Sequence, residues 1–136
     1  MKKDGTRPEI FLIEDNDGDA VLTKEAIVHN KSNIELTRAK NGTEALNLLS
    51  ERTSMPDLIM LDLNLPGMNG IEILQQLKRN SKTSSIPVII FSMSSNESDI
   101  SLCCSLKADK FITKPIDLTA FFDVFKTIEN YLAELT

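Results

Sequence analysis

The chain has 136 residues, 41% of them hydrophobic, and a formal net charge of −5 at pH 7, so one domain with a real core is the natural expectation. The acidic balance argues against nucleic acid as a partner, because phosphate binding needs a basic face, and no stretch approaches the ~20 apolar residues of a membrane span. The two cysteines are the neighbours Cys103 and Cys104, and His29 is the single histidine; this excludes a disulfide framework, makes zinc a poor fit and points to a reducing cytoplasm.

Met1-Lys2-Lys3 could open a signal peptide, but the polar run Asp4-Gly5-Thr6-Arg7-Pro8 comes next, so residues 1–8 read as a flexible lead-in. A first strand, Glu9-Ile10-Phe11-Leu12-Ile13, runs into Glu14-Asp15. Residues 16–19 form a polar turn, and a helix runs from Ala20 to about Asn30, with Asp17 and Asp19 before or within its first turn, where the helix dipole favours anions. Residues 34–39 alternate like a half-exposed edge strand. After the turn Lys40-Asn41-Gly42 a second helix takes up Ala45, Leu46, Leu48 and Leu49 and fades by about Thr53; Pro56 keeps it out of the third strand.

In that strand, Leu58-Ile59-Met60-Leu61 is a short apolar run ending in Asp62, with Asn64 and Pro66-Gly67 just beyond. That is the pattern of a parallel strand buried on both faces. Asn69 caps a third helix carrying Ile71, Ile73, Leu74 and Leu77, with Glu72 at capping-box spacing. Ile86-Pro87-Val88-Ile89-Ile90-Phe91 is a fourth strand ending in Ser92. Ser94-Ser95-Asn96-Glu97 opens a helix through about Leu106, and Lys110-Phe111-Ile112-Thr113 is a fifth strand stopped by Lys114-Pro115. Asp117 caps the last helix, striped by Leu118, Phe121, Phe125, Ile128, Leu132 and Leu135.

Five alternations of strand and helix imply an α/β fold: a doubly wound five-stranded parallel sheet, (βα)5, in the flavodoxin-like order 2-1-3-4-5. That order sets strands one and three side by side at the switch point and brings Glu14, Asp15 and Asp62 to one crevice. Three carboxylates in one pocket repel each other unless a cation joins them, and hard oxygen ligands favour Mg²⁺, Mn²⁺ or Ca²⁺. The backbone carbonyl of Asn64 is placed to join the same ion. Ser92 and Lys114 end strands four and five on the same edge. A carboxylate nucleophile, a cation site, a hydroxyl and a lysine make a phosphoryl site. Each residue alone is more often a turn, a cap or a solvated charge; it is their convergence that carries the reading.

Glu14-Asp15-Asn16, Asp62-Leu63-Asn64-Leu65-Pro66-Gly67-Met68-Asn69-Gly70, strand four into Ser92, and Phe111-Ile112-Thr113-Lys114-Pro115 together resemble the receiver domain of two-component response regulators, over about Glu9 to Leu132. Glu-Asp-Asn, Asp-Leu-Asn-Leu-Pro and residues 112–118 are also similar to the single-domain regulators paired with phytochrome-type histidine kinases. The resemblance implies that Asp62 is the phosphoacceptor, charged from a kinase phosphohistidine. It implies Mg²⁺ held by Glu14, Asp15, Asp62 and the Asn64 carbonyl, with Asp15 the closer ligand and Glu14 acting through water. Lys114 would bind a phosphoryl oxygen, the Lys114–Pro115 bond would be cis, Ser92 would swing toward the phosphoryl group, and Phe111 would be the switch aromatic that moves with it.

The chain departs from the family pattern at Lys107, where a glycine is usual after helix four, and at Phe111, which lacks the hydroxyl of the commoner tyrosine. Met93 and Ser94 occupy positions near Ser92 that set the lifetime of the phosphoryl group. His29 reads as a surface residue, and Cys103 and Cys104 as split between core and solvent. The last helix has apolar residues beyond one stripe, including Phe122, Val124 and Tyr131, which points to a homodimer or partner face with strand five and helix four. The expectation is a lead-in at 1–8 and a receiver at 9–136 with no output domain. It signals by contact with a downstream protein or by relay to a phosphotransfer protein, and it is not an enzyme for an external substrate. The rivals are a pseudo-receiver adaptor that is never phosphorylated and an aspartate-nucleophile phosphatase. The latter needs a general acid where Asn64 stands.

Overall fold

The three central strands form because their apolar runs must be covered on both faces, and each helix begins at an Asx cap. A computed structural model describes residues 5–93 and 96–136. In chain order the elements are β1 (Glu9–Ile13), α1 (Asp17–His29), β2 (Glu35–Ala39), α2 (Gly42–Glu51), β3 (Leu58–Leu61), α3 (Gly70–Arg79), β4 (Val88–Ser92), α4 (Glu97–Ser105), β5 (Lys110–Thr113) and α5 (Leu118–Leu135). The sheet is parallel throughout, in the order β2-β1-β3-β4-β5. This is the expected doubly wound α/β fold.

The two-residue period of the strands divides the core into two layers. Phe11, Ile13, Ile59, Leu61 and Ile90 face Leu49, Ile73, Leu74, Leu77 and Cys103 from α2, α3 and α4. Ile10, Leu12, Met60, Ile89 and Phe91 face Ala26, Ile27, Phe121, Phe125, Ile128 and Leu132 from α1 and α5. Four strand residues in a row are therefore apolar because neither face meets water. At about 25 cal/mol per Å² of apolar surface, this double burial is the main driving force of the fold.

Asn16, Asn41, Asn69, Asn96 and Asp117 each accept the backbone N–H of the residue three positions on. Asn16 moves the start of α1 to Asp17, three residues before the sequence reading, because a cap outranks weak local helix propensity. At α3 the box is altered: the Glu72 carboxylate accepts from the Asn69 side-chain amide at 3.2 Å instead of from backbone. At α4 the cap is Asn96, receiving Asp99 N–H at 2.8 Å. Ser94 and Ser95 lie outside the described residues, as does the start of the lead-in, residues 1–4.

Two helices end in the same way. Lys31 and Lys107 sit at φ 56° and 70°, in the left-handed region. After α4, Lys107 N–H reaches the Cys104 carbonyl and Ala108 N–H the Cys103 carbonyl, both at 3.0 Å, which is a Schellman closure. Lys107 holds the position that glycine occupies more cheaply, so this departure keeps the helix end and adds strain. Gly70 is required for space: a Cβ there would lie 2.5 Å from Leu63 Cα and 2.6 Å from the Asp62 carbonyl oxygen. Its absence lets α3 start directly beneath the loop that carries Asp62. Among the described residues, no helix is long and apolar enough to cross a membrane.

Candidate functional site

The carboxyl ends of β1, β3, β4 and β5 meet at one edge of the sheet. Glu14 comes just after β1, Asp62 after β3 and Lys114 after β5, while Ser92 closes β4. Backbone pairing extends past the strands: Asp62 N–H donates to Ile13 O at 3.1 Å and Lys114 N–H to Ser92 O at 2.9 Å. These bonds fix the four side chains relative to one another by the sheet instead of by loops, which is the more rigid arrangement.

Lys114 is the hub. Its Nζ lies 2.5 Å from Glu14 Oε1, 2.8 Å from Asp62 Oδ2 and 2.8 Å from Asp19 Oδ2. An ammonium has three donors, and each is spent on a different carboxylate. Glu14, Asp62 and Lys114 are all buried, at 2%, 6% and 6% exposure. Asp62 Oδ1 accepts Asn64 N–H at 3.0 Å, and the Asn64 side-chain amide donates to Ser92 Oγ at 3.3 Å. Asp15 is exposed, and ligand oxygens of Glu14, Asp15 and Asp62 lie within 4.8 Å of one another. Three hard oxygen donors so close, with one rim carboxylate open to solvent, fit a divalent cation of the Mg²⁺ or Mn²⁺ type.

The charges are unequal in consequence. Burial pushes the Glu14 carboxyl up to about 7, against the lowering pull of the Lys114 ammonium. Burial also works to raise Asp62, but the Lys114 hydrogen bond and the Asn64 N–H outweigh it and hold the carboxyl below its ordinary value. Lys114 is opposed by burial too, and its bonds to Asp19, Asp62 and Glu14 outweigh that and hold the ammonium above its ordinary value. Asp62 is thus an ionised carboxylate beside a permanent cation.

The structure brings together Glu14, Asp15, Asp62, Ser92, Lys114 and Asn64, as the strand ends imply. Asn64 enters through its N–H and its side-chain amide. Phe111 lies across from Ile90 in the β4–β5 register and packs half-buried on the α4 side of the sheet, the same face that Ser92 shares by strand period. One expectation is corrected: no peptide bond among the described residues is cis, so Lys114–Pro115 is trans, the form an X–Pro bond favours by about 0.5–1 kcal/mol.

Two site residues escaped the sequence reading. Local pattern puts Asp19 only at a helix start, yet it holds Lys114; the Asn16-x-x-Asp19 spacing is the signal for it, since a cap at Asn16 fixes Asp19 one turn in, facing the strand ends. Arg38, at the end of β2, donates from Nε to the Glu14 carbonyl at 2.9 Å and pairs with Asp17 at 2.8 Å. It ties the acid-bearing loop to α1, and its other terminal nitrogen is buried without a partner. No local pattern marks such a residue, because its target is 24 positions away.

The surplus apolar residues of α5 are partly absorbed within the chain. Phe122 stacks on His29 with centroids 4.5 Å apart, and Tyr131 lies over the Lys110 ammonium and donates to Asp109 at 3.4 Å. Leu102, Ile116, Leu118 and Leu135 stay exposed, Ile116 at 96%. Cys103 is buried and Cys104 exposed.

This arrangement has close counterparts. Response regulator Rcp1 of Synechocystis sp. is 32% identical over 130 residues, covering 92% of this chain and 88% of Rcp1. The polar-differentiation response regulator DivK of Brucella anthropi is 32% identical over 125 residues, covering 92% of this chain and 96% of DivK. The crystal structure of the phosphorylated cyanobacterial phytochrome response regulator RcpA superposes with a TM-score of 0.89 at 35% identity, over 96% of this chain and 97% of that one. The Mn²⁺-bound form of Rcp1 superposes at 0.83 with 31% identity, over 91% and 93%. The response regulator receiver domain matches residues 10–126. A lysine-bridged acid edge on a 2-1-3-4-5 sheet and a family match over most of the chain agree, and the protein belongs to the response regulator receiver domain family of two-component systems.

Proposed function

We propose that the chain is a phosphorylation-controlled signalling module in which Asp62 accepts a phosphoryl group from a histidine kinase. The observation that carries this reading is the three-way grip of Lys114 on Glu14, Asp19 and Asp62 beside Ser92. Asp62 attacks phosphorus with a carboxylate oxygen, the P–N bond of the phosphohistidine breaks, and the imidazole leaves with that electron pair and takes up a proton. Lys114 is placed to track the transferred oxygens. Ser92 would turn its hydroxyl toward them on phosphorylation, and Asn64 N–H steadies the second oxygen of Asp62.

Glu14, Asp15 and Asp62, with the Asn64 backbone carbonyl, would hold Mg²⁺, which when bound supplies positive charge for the equatorial oxygens. The Mn²⁺-bound form of Rcp1 supports this choice. The chemistry stays on the chain's own Asp62, with slow loss of the phosphoryl group to water, and no external substrate is turned over. Output runs through the Ser92–Phe111 face of α4 and β5, by contact with a protein target or a phosphotransfer protein. Phe111 has no hydroxyl, so it passes the signal by packing alone. Exposed Leu102 and Leu118 support a homodimer across α4, β5 and α5, read by light scattering with and without phosphorylation. Similarity to RcpA, a phytochrome response regulator, supports a phytochrome-type kinase as donor and a cytoplasmic setting. The receiver spans residues 9–136.

The test is a small phosphodonor. With acetyl phosphate and Mg²⁺, intact-mass spectrometry is expected to show one added phosphoryl group, and none for Asp62→Asn. No gain in the wild type, or an equal gain in the variant, overturns the assignment and favours a pseudo-receiver.

A further inference from the structure

This acidic protein carries a basic feature outside the buried phosphoryl pocket. Between α1 and the edge strand β2 runs a groove of about 630 Å³. Its floor is apolar, made by Ile27, Ile34 and Leu36, with Val28 71% exposed at the rim. Its walls carry Arg7, Lys24, Lys31 and Arg38. Arg38 is paired with Asp17, whereas Arg7, Lys24 and Lys31 are exposed and make no ion pair among the described residues. Glu35, the acid on the lining, stands on the alternate face of β2 and interacts with Arg52.

The strand beside these cations has a free edge. β2 pairs with β1 alone among the described residues. Glu35 N–H donates to Pro8 O at 2.9 Å and Ala39 O accepts Glu14 N–H at 3.0 Å, so these residues turn their backbone groups toward β1. By strand alternation, Leu36 and Arg38 turn their N–H and C=O outward.

We propose that this groove docks an extended acidic segment of a protein partner, which adds to β2 as a sixth strand and lays alternate side chains over α1. Charge complementarity sets the sign of the occupant. The edge sets its backbone: a peptide supplies both N–H and C=O to Leu36 and Arg38, whereas a phosphodiester has no donor for their carbonyls. The groove sets the pattern. Same-face residues of a strand recur every ~6.6 Å, so an apolar side chain fits over Ile34 and Leu36 with a carboxylate on either side, one near Lys24 and Lys31 and one near Arg7 or Arg38. The recognised motif is acid-x-apolar-x-acid, read by strand addition plus side-chain pockets. This inference does not depend on the chemistry of Asp62.

The probe is a capped peptide with the core Glu-Thr-Val-Thr-Glu, titrated into the ¹⁵N-labelled full chain. Saturable shifts confined to α1 and β2, with slowed amide exchange at Leu36 and Arg38, are expected. Reversing two exposed charges, Lys24→Glu with Lys31→Glu, is expected to weaken binding by about tenfold or more. N-methylating the peptide at alternate residues on its pairing edge is expected to abolish it. No shifts at millimolar peptide, undiminished binding by the N-methylated peptide or by a Lys-for-Glu peptide, or equal shifts with a single-stranded oligonucleotide or an anionic vesicle would each overturn the proposal.

Discussion

The sheet carries a charged cluster at each end, and the two balance their charges in opposite ways. At the amino end, the Arg52 guanidinium meets both oxygens of Glu9 at 2.7 and 2.6 Å, Thr37 donates to the same carboxylate, and Phe11 lies beneath the cation. One arginine grips both oxygens of one glutamate, Glu35 acts on the same cation from nearby, and the Arg52–Glu9 pair is part-exposed, at 25% and 16%. At the carboxyl end one lysine answers three carboxylates, two of them buried, with a fourth, Asp15, on the rim. The first cluster is open to solvent, which screens its charge, and it joins the end of α2 to β1. The second is left anionic by the fold, and an unneutralised buried cluster stands ready for a cation or a transferred group. Imbalance inside a buried pocket, more than ion-pair count, separates the candidate site from the structural pair.

The two ends differ most when their cations are removed. Lys114→Met strands two buried carboxylates and is expected to cost about 3 kcal/mol in metal-free protein at pH 7.5. Arg52→Met removes a partly exposed pair and is expected to cost about 1 kcal/mol, with Mg²⁺ affinity and acetyl phosphate labelling unchanged. Urea denaturation and the mass assay measure both. Equal costs with labelling lost in both would erase the distinction.

The pH dependence sharpens it. The folded Glu14 carboxyl titrates near 7 and the unfolded one near 4.5, so between these values the folded chain holds the extra proton. Stability from this group is fully present below 4.5, falls as pH rises toward 7 and is flat above. The metal-free protein therefore loses on the order of 2–3 kcal/mol across that window. Glu14→Gln is expected to remove this slope, and saturating Mg²⁺ to offset it. Denaturation of wild type and variant at pH 5 and 7.5 decides it.

The smallest effect concerns the helix that borders the proposed output face. Lys107→Gly relieves the left-handed strain at the end of α4 and is expected to stabilise the chain by about 0.5–1 kcal/mol. Thermal denaturation reads it, and a loss of stability would mean the lysine side chain supplies more than the backbone strain costs.

Sequence pattern alone reached the element order, the strand order and the acids, serine and lysine on one edge. Continuous apolar runs ended by polar residues are a local signature, and parallel winding forces all their carboxyl ends to the same side. It missed the early start of α1, because a cap is a tertiary-independent but easily overlooked single hydrogen bond, and it missed Asp19 and Arg38 for a different reason. Their partners lie on other elements, and side-chain reach across strands leaves no trace in local order. Local pattern is enough to say which chemical groups share an edge. That one buried ammonium holds three carboxylates at once is a tertiary fact, because the sharing depends on distances of 2.5–2.8 Å set jointly by three strand ends and the first turn of α1. The tertiary structure also decided that Glu14 is raised while Asp62 is lowered, because burial and the Asn64 N–H act on the two carboxyls unequally.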